Sequence, residues 1–163
     1  MTTAVRMELS ALEAAHLTDL IAQFAQLLAD ALDDADDPAI ARLVPDAYRD
    51  DAQAAAEFRR FTQDDLLDRR RDDAQTVLTS LQREGTVLRA ADLDRVEAET
   101  SFVVELDAAA VTAWLRTLTA VRLVMATRLG IVADDDQDDD DPRFGVYNWL
   151  GFRLEGLLQA LED

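Results

Sequence analysis

The chain has 163 residues, 49% hydrophobic and 31% charged, the balance of a soluble globular protein. Its net charge is −18 with all sixteen basic residues arginine, a sign that disfavours nucleic acid and anionic lipid, whose binding rests on neutralising phosphate. There is no cysteine and one histidine, His16, which excludes disulfides, thiol chemistry and sulfur-based or multi-histidine metal sites within one chain. No cofactor is expected.

Val5, Met7 and Leu9 alternate with Arg6 and Glu8, so residues 5–9 read as a half-buried strand. Ser10 caps the helix that follows, and Glu13 completes a capping box. Leu17, Ile21, Phe24 and Leu28 carry that helix at regular spacing to about Leu32. His16 lies beside the apolar stripe and reads as structural. The first thirty residues carry Glu8, Glu13 and Asp19 and no cleavage pattern, so a signal peptide is not expected.

After an acidic loop and a short apolar segment, Ile40–Val44, Asp50 or Asp51 caps a helix carrying Ala54, Ala55, Phe58 and Phe61. Thr62 reads as a second cap, opening a helix that runs to Glu84 and stops at Gly85. Arg69, Arg70 and Arg71 form the one basic cluster and are weak candidates for phosphate contact. Asp65, Asp68, Asp72 and Asp73 stand at spacings that place opposite charges side by side, which favours a solvated face.

Residues 86–101 are polar and irregular. Phe102, Val104 and Leu106 then alternate with Val103 and Glu105, a second strand and a natural partner for the first. Asp107 caps a helix to Leu129 that is apolar on nearly every side and closes on Gly130. Arg116, Arg122 and Arg128 recur every six residues, so successive ones are rotated by about 240°. At least one must meet the interior, where a guanidinium needs a carboxylate. Glu57, Glu155 and Asp46 are the candidates, giving an expected charge network of Arg122, Arg128, Glu57 and Glu155. The same arginines break the longest apolar runs, so no membrane span is expected.

Asp134–Asp141 holds seven acids in eight positions. A calcium loop needs glycine sixth and glutamate twelfth. Counting from Asp134 those positions hold Asp139 and Gly145, and counting from Asp136 they hold Asp141 and Tyr147. Residues 133–142 therefore read as a self-repelling, mobile surface loop. In the last helix Tyr147, Leu150, Leu154, Leu157 and Leu161 form a seam able to pack internally or across a homodimer.

Three segments carry a family resemblance: Pro45–Asp51 with Ala54–Thr62, Trp114–Leu118 with Arg122 and Ala126–Ile131, and Val146–Gly151 with Glu155. Together they resemble the actinobacterial domain of unknown function 2017 family. The resemblance implies a mainly helical, bacterial cytoplasmic protein without an established enzymatic activity. It implies genes near the adaptor of the Clp protease, hence a regulatory or proteolysis-linked role. Some relatives are redox-responsive transcription regulators with a cysteine pair; this chain has no cysteine, so that mechanism does not carry over. The resemblance also implies glutamine at position 154, where this chain has leucine.

The resulting expectation is one mainly α domain over residues 1–163. About five helices pack around a central buried helix (107–129), with a two-stranded β-ribbon from 5–9 and 102–106. The expected function is a non-enzymatic, cytoplasmic regulatory or protein-interaction protein, linked to regulated proteolysis or stress response, with an unidentified protein partner. A DNA-binding regulator is the alternative.

Overall fold

A computed structural model of the chain describes residues 5–31, 38–43, 52–130 and 144–162. The elements run β1 (Val5–Ser10), α1 (Ala11–Asp30), α2 (Pro38–Leu43), α3 (Ala52–Ser80), a 3-10 turn (Ala90–Asp92), α4 (Arg95–Glu99), β2 (Ser101–Leu106), α5 (Ala108–Leu129) and α6 (Gly145–Glu162). The architecture is mainly helical with a two-stranded antiparallel sheet. Val5 pairs with Leu106 and Ser10 with Ser101. Val5, Met7, Leu9, Val104 and Leu106 point into the core while Arg6, Glu8 and Glu105 face out. An isolated two-stranded ribbon is marginal in water, so this one depends on the helices beneath it.

Ser10 ends β1 and caps α1, accepting the Glu13 N–H at 3.1 Å. Asp107 does the same between β2 and α5, accepting the Ala110 N–H at 2.8 Å. Each strand thus passes into a helix without a loop. Gly130 closes α5 in the left-handed conformation at φ 74°, as its place in the sequence predicts.

The core joins α1, α2, α3, α5, α6 and the inner face of the ribbon, with Trp114, Leu118, Ile21, Leu67 and Leu150 fully enclosed. By length and composition α5 is apolar enough to cross a membrane, contrary to expectation, because an apolar window runs past two of its arginines. Its buried face is used within the protein: Val111, Trp114, Leu118, Val121 and Val124 meet the surrounding helices.

Two expectations need correction, and the short apolar segment takes a form that the sequence left open. The helices placed on either side of Thr62 are one helix, α3, which ends at Ser80 rather than Glu84. Propagating a helix adds one hydrogen bond per residue fixed, and a mid-helix threonine costs only about half a kcal/mol against that. The chain then reverses through Glu84 and Gly85, both at positive φ, with Arg83 bridged to Thr86. Ile40 and Leu43 belong to a short helix, α2, and are buried. The segment expected to be irregular carries the 3-10 turn and α4, whose Asp94 cap accepts the Glu97 N–H at 2.7 Å.

Candidate protein-docking trough

α6 presents different chemistry on each flank. Its inner stripe is the expected seam, and it is used inside the chain. Tyr147, Leu150 and Leu157 are buried and Leu154 packs on the core, while Leu161 lies past the core at 52% exposure. Of the two arrangements open to this seam, the described residues show internal packing, with α5 against α6.

On the flank facing α5, Arg122 reaches across to α6. Its Nε donates to the Tyr147 carbonyl at 3.1 Å and its guanidinium lies 4.0 Å from the centre of the Tyr147 ring. The expected network of Arg122, Arg128, Glu57 and Glu155 is not assembled. Glu57 and Glu155 are exposed, and Arg128 is exposed in the last turn of α5, where a cation complements the helix dipole. A carbonyl and a ring face satisfy Arg122 without the cost of desolvating a carboxylate. Asp46 lies outside the described residues, as do residues 133–142 with the Asp134–Asp141 tract.

The third flank carries Gly145, Trp149, Phe152, Gly156 and Ala160, separated by three or four residues and so aligned along the helix. It borders two separate hollows that follow one another along the helix, the two ends of an interrupted trough. Toward the start of α6 the opposite wall is α1, with Glu13, His16, Asp19, Leu20 and Gln23 around a volume of about 600 Å³. Toward the other end the wall is β1, where Val5–Glu8 face Phe152, Gly156 and Ala160 across about 260 Å³. Apolar groups dominate the exposed lining. Phe152 is 68% exposed and Val146 46%, and Leu20 and Trp149, which line the same hollow as Val146, are half-buried.

The two ends meet at a polar cluster that ties α6 to α1. Arg153 Nη2 donates to Glu13 Oε2, and Trp149 Nε1 donates to the same oxygen at 3.3 Å. Burial alone would raise the Glu13 carboxyl, but the Arg153 bond and charge, the Ser10 contact and Trp149 together hold it below its ordinary value. Glu13 was legible in the sequence only as a capping residue. Trp149 and Arg153 carried no local signal, because their partner lies 136 and 140 residues away.

The arginines at 69–71 do not gather on one face. Arg71 stands 3.9 Å from Asp68, Arg69 is exposed, and Arg70 turns toward α5 with its Nε enclosed and unbonded. Burial lowers the Arg70 pKa, and the nearby Arg116 charge adds to this while Asp73 opposes it. Arg116 in turn stands 4.0 Å from Asp73. This is a dispersed set of local ion pairs rather than a phosphate-binding surface.

The chain finds no match among curated proteins or solved structures. The family model described as Domain of unknown function (DUF2017) matches residues 1–161, nearly the whole length. With its helical architecture and ribbon in place, the chain belongs to the domain of unknown function 2017 family.

Proposed function

We propose that this protein is a non-enzymatic regulator that works by holding a segment of another protein in the trough along α6. The observation that carries this reading is the trough itself. Phe152 is 68% exposed one helical turn from half-buried Trp149, and Val146 is 46% exposed toward the start of the helix, whose other apolar stripe is engaged by the core as far as Leu157. Exposed apolar groups gathered along one groove, rimmed by polar side chains, are the usual mark of a protein-binding surface. A regulator of proteolysis or stress responses would use such a surface to present or mask a recognition segment.

The alternative of a DNA-binding regulator draws no support from the divergent arginines at 69–71 or from the charge of −18. A photo-crosslinking residue placed at 152 in the cells of origin tests the docking reading. Val96, 76% exposed on α4 and not among the trough's lining residues, is the control position. A discrete adduct from position 152 that position 96 does not produce is expected. Absence of an adduct at 152, or the same adducts from both positions, would overturn the reading.

A further inference from the structure

α6 holds three glycines in eighteen residues, and only one is explained by the packing of the chain. A Cβ on Gly151 would stand 2.9 Å from the Arg122 guanidinium, so that position must stay bare. A Cβ on Gly145 or Gly156 would meet nothing within 4 Å. Both of these open onto the trough, one near each end. Gly145 opens the helix, whereas Gly156 stands inside it, where glycine costs about 0.5–1 kcal/mol relative to alanine. Bare backbone there, flanked by exposed Phe152 and half-buried Trp149, leaves room for another backbone to approach closely.

The dimensions and charges narrow what approaches. From Gly145 to Ala160 the flank rises about 22 Å, the length of a four-turn helix. Anchors at Leu20, Val146, Trp149 and Phe152 suit the apolar stripe of an amphipathic helix, which docks through side chains three and four residues apart. Of the charged groups lining the trough, Arg153 is engaged by Glu13 and Arg6 pairs with Glu105 at 3.3 Å. Among the described residues, Glu8 and Asp19 on the rims have no cation within ion-pair distance. The net charge of −18 extends the same sign around them. A second copy of this chain and an anionic lipid surface both carry the wrong sign.

We propose that the trough along α6 takes a cationic amphipathic helix of a partner protein. This rests on the docking reading above and adds the sign and shape of the occupant. The probe is a labelled 15-residue peptide of leucine and lysine, with leucines at helical spacing and lysines opposite. Three controls share its length: a scramble without amphipathicity, a version with a central proline, and one with glutamate for every lysine.

Fluorescence anisotropy should give micromolar binding of the probe, accompanied by a change in Trp149 emission. Binding should weaken several-fold between low and physiological salt. Each control peptide should bind at least about tenfold more weakly. Gly156→Leu, which fills the trough and favours the helix, should weaken the probe by about tenfold or more while circular dichroism stays unchanged. Glu8→Gln with Asp19→Asn should weaken the lysine peptide and strengthen the glutamate peptide.

Equal binding of the lysine and glutamate peptides, both lost in Gly156→Leu, would overturn the charge assignment and leave the docking reading standing. Binding of the probe that Gly156→Leu leaves unchanged, or no binding at all, would overturn the proposal outright. The docking reading itself falls only on the crosslinking result.

Discussion

The guanidinium of Arg122 occupies the space that a side chain at Gly151 would need: a Cβ there would lie 2.9 Å from its central carbon. Arg122 is held in that position by the Tyr147 carbonyl and the face of the Tyr147 ring. Glycine and arginine thus act as one packing unit between α5 and α6. Arg122→Ala is expected to cost about 2 kcal/mol, from one charge-assisted hydrogen bond and one cation–π contact. Gly151→Ala should gain about 1 kcal/mol of helix propensity when Arg122 is already alanine. In the wild type that gain is offset by displacing the guanidinium. Urea unfolding of the four proteins in the cycle measures the coupling. Effects that add to within about 0.3 kcal/mol would remove the packing unit.

Two buried threonines should respond in opposite directions to valine. Thr18 is 6% exposed and its hydroxyl donates to the Ala14 carbonyl at 2.7 Å. Thr117 is 2% exposed, and its hydroxyl has no hydrogen-bond partner among the described residues. Thr117→Val replaces an unsatisfied polar atom by a methyl group of the same shape and should be stabilising by about 1 kcal/mol. Thr18→Val removes a made bond and should be destabilising by about 0.5–1 kcal/mol. Thermal or denaturant unfolding of both variants would settle the contrast. A destabilised Thr117→Val would mean that its hydroxyl is satisfied in solution.

The Glu13–Arg153 contact makes a prediction about acid. The folded pKa of Glu13 lies below its unfolded value, so its contribution is fully present above about pH 4.3. It is lost as pH falls through the lower folded value. Glu13→Gln should therefore lower stability near pH 7 and matter progressively less toward pH 3. Denaturant midpoints at the two pH values check this. A deficit that stays constant across them would show that the charge of Glu13 contributes nothing beyond its cap.

Backbone conformation yields a further pair. Gly130 has φ 74° and nothing within 4 Å of a would-be Cβ, so Gly130→Ala is costly through its backbone alone, by about 1–2 kcal/mol. Glu84 adopts φ 53° with an ordinary side chain. Glu84→Asn should relieve part of that strain, gaining a few tenths of a kcal/mol, because asparagine tolerates this region better. Unfolding midpoints of the two variants should move in opposite directions.

Much of the secondary structure was legible because its causes act within three or four residues. The alternation of Val5, Met7 and Leu9 marks a strand, and Ser10, Asp107 and Gly130 begin or end helices through bonds to their own neighbours. The same locality misled at Thr62. A capping residue offers a start, but nothing within one turn says whether the preceding helix has ended, and α3 runs straight through. The seam of α6 was legible as an apolar stripe. Which body covers it was not, since α5 and a second copy present the same chemistry to leucine.

By itself, then, the sequence determined a mainly helical chain with a small ribbon, the caps, a net charge of −18 and the family. Tertiary structure decided which distant groups meet. It set Arg122 on the Tyr147 carbonyl and ring rather than on a carboxylate, 25 residues along the chain. It brought Trp149 and Arg153 to Glu13, and so divided one flank of α6 into the two ends of a trough. The physical reason is that a half-buried charge accepts any partner with the right geometry. Sequence supplies the candidates, but the relative placement of packed helices selects among them.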